Sequence, residues 1–216
     1  MNARPRMLIA VVGTGTDVGK TWAGARLCAA LVEAGWSVAV RKPAQSGDPG
    51  DPGDATVLAA ATGEPPEIVC PPHRRYPVAM APPMAAEIAS MAAPTVADLV
   101  AEVEASWPDP APDVGVVETA GGVASPMGAA TPRSLDLAAS GPNDDAAALC
   151  ALLDPDVVLL VADAGLGTLS ATRTAIAYLR NGLGVAAVGD AEPVRPPSLR
   201  RCGGPRGAGD RRVEPL

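Results

Sequence analysis

The feature that most constrains this chain is a glycine-rich turn set between an apolar strand and an apolar helix. Residues 7–12 (MLIAVV) form a short continuous apolar run, as a strand buried on both faces requires. Residues 20–34 (KTWAGARLCAALVEA) carry apolar side chains at helical spacing until Gly35 stops the helix. Between them, residues 13–21 read GTGTDVGKT. In that setting the N–H groups of the turn and of the helix N-terminus converge on anionic oxygens, the Lys20 ammonium reaches β- and γ-phosphates, and the Thr21 hydroxyl binds Mg²⁺. Gly15, Asp17, Val18, Gly19, Lys20 and Thr21 are therefore the expected nucleotide-binding residues. The usual spacing puts the first glycine where this chain has Thr14, so Gly13 opens a loop one residue longer. A dinucleotide fingerprint is not met, because the glycines fall as G-x-G-x-x-x-G and the next strand ends in Arg41 rather than an acid.

The rest of the chain alternates strands with helices. Residues 37–41 (SVAVR) read as a second strand, and a right-handed crossover is expected to set it beside the first. Residues 42–54 are rich in Gly, Pro and Asp and predict no regular structure before a helix over 55–61, and residues 63–83 are again irregular. Thr95 and Asp98 form a weak capping box for a helix over 96–104. Residues 113–118 (DVGVVE) form a third strand and 156–162 (DVVLLVA) the clearest one. Thr168 or Ser170 caps a helix running to Asn181, and 184–188 is a last strand. This pattern predicts a three-layer α/β, phosphate-loop NTPase-like domain over residues 1–188 with a mostly parallel sheet. Residues 189–216 hold six Arg, five Gly and five Pro with no period. They are expected to be disordered or loosely attached, with a basic interaction tail as the alternative. The abrupt change in composition also fits a shifted frame or a truncation.

Composition removes several function classes. With three Trp, two Tyr and no Phe there is little to stack on bases, and a net charge of −7 does not suit a phosphate backbone, so no nucleic-acid partner is expected. No apolar run approaches the length of a membrane span or a signal-peptide core, which predicts a cytoplasmic chain with no membrane partner. The four cysteines, Cys28, Cys70, Cys150 and Cys202, lie far apart without a CxxC pair, which argues against structural zinc or a disulfide framework. The one histidine, His73, sits among Pro and Arg and reads as a solvated loop residue rather than a base.

Lysine is the telling count: 15 of the 17 basic residues are Arg, leaving only Lys20 and Lys42. Both stand in turns that follow apolar strands, where a compact ammonium fits against phosphate oxygens and a planar guanidinium does not. Glu118 ends a strand expected to neighbour the first, at the carboxyl edge where open α/β sheets bind ligands. With Thr21 and Asp54 it supplies hard oxygens for Mg²⁺, although Asp54 also reads as a helix N-cap. Residues 119–122 (TAGG), with Gly121, allow close backbone approach beside the metal. Lys42 and Ser46 bring a second cation to the same crevice, an arrangement suited to phosphoryl transfer.

GTGTDVGKT, KPAQSG, Asp54, the APP of Ala81, Pro82 and Pro83 followed by Met84, VETAGG and DAGLGTL together resemble the dethiobiotin synthetase family, in order and spacing over residues 7–188. The resemblance implies an ATP-dependent cyclo-ligase of biotin biosynthesis. It implies that the substrate 7,8-diaminopelargonic acid (7,8-diaminononanoate) takes up CO₂ as a carbamate, which ATP phosphorylates before the second amine closes a ureido ring. Lys20, Lys42, Thr16 and Ser46 would be catalytic, and Thr21, Asp54 and Glu118 would hold Mg²⁺. Substrate would meet Lys42, Ser46, Ala81 and Pro82, and in a homodimer its carboxylate would meet the helix N-terminus at Gly167, Thr168, Leu169 and Ser170. Departures are Asp17 where many members have Glu, Thr119 where many have Gly, and Gly189 where an Asn often recognises adenine. The family's last strand and C-terminal helices have no visible counterpart in residues 189–216. A partition-type or cobyrinate-synthase-like ATPase and an inactive nucleotide-binding protein are the competing readings; the first usually has a second lysine in its loop, which residues 14–18 lack.

Overall fold

A computed structural model describes residues 3–48, 50, 53–129 and 144–183 of this 216-residue chain. Four parallel strands form the main sheet: β1 (Met7–Gly13), β2 (Val38–Arg41), β5 (Val114–Glu118) and β6 (Val157–Val161), in the order β2-β5-β1-β6. A second sheet pairs the two-residue strands β3 (Gln45–Ser46) and β4 (Arg75–Tyr76), also in parallel. The helices are α1 (Lys20–Glu33), α2 (Gly53–Thr62), α3 (Pro66–Val69), α4 (Pro82–Ile88), α5 (Val96–Ala105), α6 (Ala146–Leu153) and α7 (Thr168–Gly182).

Alternation along β1 shows why this is a three-layer fold. Ile9 and Val11 point to one face, where they pack with Cys28 of α1 and Ala55, Leu58 and Ala59 of α2. Leu8 joins α5 and α6 on the other face, and Ala10 and Val12 join Ala147, Cys150, Ala175 and Leu179 of α6 and α7. Helices therefore cover both faces, as near-continuous apolar strands require. Lys20, Gly24 and Cys28 are the buried stripe of α1, one helical turn apart. Burial pushes the thiols of Cys28, Cys70 and Cys150 up to about 12, 11 and 12, and they serve as small apolar fillers.

The strand order corrects one expectation. β2 does not lie beside β1; β5 enters between them. All five residues of β5 are buried, so it takes a central place with a neighbour on each side, while β2 takes the edge. Glu118 does end a strand adjacent to β1, as expected, with Val11 opposite it. The capping box at Thr95 and Asp98 is present in full. In contrast, neither Thr168 nor Ser170 caps α7: Gly167 occupies the N-cap in the left-handed region, and no side chain caps it. Residues 42–83, expected to be largely irregular, contain β3, β4, α3 and the start of α4. The expected strand at 184–188 and the segment 189–216 lie outside the described residues.

Candidate functional site

The turn after β1 is tightest at its first glycine. A Cβ on Gly13 would sit 2.9 Å from the Gly15 carbonyl oxygen and 2.9 Å from Cδ of Lys20, with Cγ2 of Val18 at 3.0 Å. Gly19, at φ 92°, turns the chain into α1. The loop is tied at both sides: Thr14 N–H donates to the Val161 carbonyl at 2.9 Å, and Val123 N–H donates to the Gly13 carbonyl at 3.0 Å. Lys20 folds back over the turn, and its Nζ donates to the Gly15 carbonyl at 2.7 Å. Burial, followed by the nearby Lys42 charge, holds the Lys20 pKa below its ordinary value despite Glu118, Asp54 and Asp17.

Three elements bring hard oxygens to one point beneath this turn. Thr21 comes from the first turn of α1, Asp54 from the first turn of α2 and Glu118 from the end of β5. The Thr21 Oγ1 lies 2.7 Å from Asp54 Oδ1 and 2.8 Å from Glu118 Oε1. Lys42 approaches the same carboxylates, with Nζ 2.7 Å from Asp54 Oδ2 and 2.6 Å from Glu118 Oε1. Lys42 and Glu118 are almost wholly buried, at 2% and 0% exposure. Burial opposes the Lys42 charge, but Glu118 and Asp54 outweigh it and hold its pKa above the ordinary value. Burial likewise opposes the Asp54 charge, yet Lys42 and the Thr21 hydroxyl keep its carboxyl below the usual range.

Among the described residues, one oxygen of this set has no partner. Glu118 Oε2 is buried without a hydrogen bond, and it lies 3.3 Å from where a Cβ on Gly24 would stand. A hydroxyl, two carboxylates and an orphaned carboxylate oxygen suit a hard divalent cation such as Mg²⁺, which takes one or two carboxylates and completes its shell with phosphate oxygens and water. Asp54 does not spend its side chain on the helix start. That work falls to Gln45, whose Oε1 accepts from Ala55 N–H at 2.8 Å.

A cleft of about 810 Å³ opens over these groups. Thr16, Asp17, Gly19, Lys20 and Thr21 line it from the loop, Lys42 and Ser46 from the β2 side, and Asp54 from α2. Ala81, Pro82 and Gly121 line it too, so segments far apart in sequence share one cavity. Gly15 contributes the carbonyl that tethers Lys20, and Val18 packs beneath the turn. Ser46 Oγ donates at 2.5 Å to the carbonyl of Met80, in the segment between β4 and α4. Gly167, Thr168, Leu169 and Ser170 do not line this cleft; they begin α7, with Leu169 72% exposed. His73 is exposed, 3.3 Å from Glu102, and lines no part of the cleft. Gln45, Arg75, Tyr76 and Ser125 also line the cleft and were not singled out by the sequence. The pairing of Gln45 with Arg75 and Ser46 with Tyr76 is a long-range fact with no local signature.

A family model described as an AAA domain matches residues 8–209. The ATP-dependent dethiobiotin synthetase BioD of Rhodococcus jostii is 39% identical over 199 residues, covering 90% of this chain and 78% of that protein. The Streptomyces avermitilis enzyme of the same name is 40% identical over 183 residues, covering 84% and 69%, and that of Caulobacter sp. strain K31 is 36% identical over 193 residues, covering 88% and 77%. Among solved structures, the signal recognition particle receptor FtsY from Elizabethkingia anophelis is a looser match, with 18% identity, a TM-score of 0.47, and coverage of 82% of this chain and 48% of that one.

Proposed function

This chain belongs to the ATP-dependent dethiobiotin synthetase family of ligases, and on that premise we propose that it converts 7,8-diaminopelargonic acid, CO₂ and ATP into dethiobiotin, ADP and phosphate. The observation that carries the reading is the meeting of the chain's only two lysines at one cleft, each nearly buried. A sequence that uses Arg almost everywhere else has kept Lys at two points around a phosphate loop.

The chemistry divides among these residues. One substrate amine adds to CO₂ and loses a proton, giving a carbamate. A carbamate oxygen attacks the γ-phosphorus of ATP, the bond to ADP breaks, and a carbamic-phosphoric anhydride forms. The second amine then attacks the carbamate carbon, phosphate leaves, and the ureido ring closes with loss of a proton. Lys20 and the N–H groups from Gly15 to Thr21 hold the β- and γ-phosphates, where charge moves during transfer. Lys42 offsets the negative charge of the carbamate and of the transferring group, while Thr16 and Ser46 supply hydrogen bonds that orient it. Thr21, Asp54 and Glu118 would hold Mg²⁺, which supplies charge neutralisation at the phosphate oxygens when bound.

Ala81 and Pro82 form the apolar wall against which the substrate chain lies. The substrate carboxylate is assigned to Gly167, Thr168, Leu169 and Ser170 of a second copy, at a helix N-terminus that favours an anion. A homodimer acting in the cytoplasm, with no nucleic-acid or membrane partner, completes the reading. Among the described residues no helix is long and apolar enough to cross a membrane.

The test is phosphate release by the chain with ATP, Mg²⁺ and bicarbonate, with and without the diamine, and with mass detection of the product. Diamine-dependent release with dethiobiotin formed supports the reading. ATP hydrolysis indifferent to the diamine, with no product, would overturn it.

A further inference from the structure

Arg41 ends β2 and stands immediately before Lys42. Because β2 is the edge of the main sheet among the described residues, one row of its backbone groups has no ladder partner there. At Val40 that row is completed by side chains: its N–H donates to Glu64 Oε2 at 2.8 Å, and its carbonyl accepts from Arg41 Nη1 at 2.6 Å. The same Nη1 reaches Glu64 Oε1 at 2.7 Å. The Arg41 Nε donates to Ser106 Oγ at 2.7 Å, Nη2 donates to the Ser106 carbonyl at 2.6 Å, and the guanidinium lies 5.0 Å from the Trp107 ring centroid. Lys42 N–H, next along the chain, donates to the Val69 carbonyl at 2.7 Å.

A buried ion pair is a poor source of net stability, because desolvation offsets much of the attraction. Here the Arg41 side chain is only 3% exposed. Its contacts join the end of β2 to the turn after α2 and to the residue that follows α5. Together with the Val40 N–H bond to Glu64, they hold Val40 and Arg41, the two residues that precede Lys42.

We propose that Arg41 and Glu64 form a positioning pair for Lys42, fixing the end of β2 so that its ammonium meets Asp54 and Glu118. The kinetic arm of the test rests on the reaction proposed above; the spectroscopic arm does not. With two lysines in the chain, protein labelled at lysine ¹³Cε and ¹⁵Nζ gives two signals, assigned by the loss of one in Lys20→Arg.

In Arg41→Met the Lys42 signal is expected to move while that of Lys20 stays. The kcat for dethiobiotin formation is expected to fall about 10- to 100-fold with KM for ATP unchanged, since small misplacement of a reacting group has this effect. Glu64→Gln keeps the shape and removes the charge; it should shift the same signal and decides the matter if Arg41→Met does not fold. The proposal fails if the folded variant or variants lower the denaturation midpoint but leave the Lys42 signal and kcat as in the parent. If the parent forms no dethiobiotin, the proposed reaction fails, and the Lys42 signal alone decides the positioning role.

Discussion

Lys20 and Lys42 face one cleft from two turns, and their partners differ in kind. Lys20 gives its ammonium to a neutral carbonyl, that of Gly15, whereas Lys42 lies between the carboxylates of Asp54 and Glu118. The consequence falls on their pKa values: burial with the neighbouring Lys42 charge lowers that of Lys20, and the two carboxylates, outweighing burial, raise that of Lys42. A cation on a neutral tether costs stability and is open to an incoming polyphosphate. A cation between two acids is part of the fold's own charge balance. One residue type thus enters the same cleft on a neutral tether from one turn and inside a balanced set of charges from the other.

The largest effects that sharpen this contrast are on turnover. Lys20→Met and Lys42→Met should each lower dethiobiotin formation by at least about 100-fold, as removing a preorganised charge does. Folding separates them next. Lys42→Met strands a fully buried Glu118 carboxylate and should lose about 3–5 kcal/mol in chemical denaturation, while Lys20→Met should keep or raise the midpoint. Equal losses in the two variants would break the comparison. Adding Glu118→Gln to Lys42→Met removes the stranded charge and should return about 1–3 kcal/mol.

The smallest effects lie in the pH dependence of stability, read as the difference between parent and variant. Lys42, with its pKa raised, contributes stability below its ordinary value and loses it as pH rises through the raised one. Lys20 has the opposite sign: its cost is present at neutral pH and is relieved as pH climbs from its lowered value toward the ordinary one. Asp54, held low by Lys42 and Thr21 against the pull of burial, contributes above the ordinary carboxylate value and is lost as pH falls through the lowered one. The denaturation midpoints of Lys20→Met and Lys42→Met should therefore approach that of the parent from opposite sides, the first as pH climbs toward the ordinary lysine value and the second as pH rises above it.

Much of this site is legible in the sequence because its signals are local. The loop, the helix it opens and the carboxylate closing β5 each announce themselves within a few residues. The place of β5 between β1 and β2 does not, because pairing order is set by which strand needs two neighbours. Two-residue strands such as β3 and β4 have no period to detect, and α6 has no strong start signal beyond Asp145, whose side chain accepts from Ala148 N–H at 2.9 Å. The capping of α2 by Gln45, where Asp54 was one candidate, depends on a fold-back of ten residues. Arg41 read only as a missing acid, since its partners Glu64 and Ser106 lie 23 and 65 residues away.

The charge on Lys42 also bears on what the proposed intermediate can acylate. A carbamic-phosphoric anhydride transfers its carbonyl to any amine that offers a lone pair. Lys42, with its proton held firmly between Asp54 and Glu118, has no lone pair to offer, so it can stand beside that electrophile without forming a urea with it. The only other lysine is tethered at the phosphate turn, His73 lines no part of the cleft, and the remaining basic side chains are guanidiniums, which do not compete as nucleophiles. The ion pairs that hold the cleft together would then also keep the Lys42 amine out of the reaction.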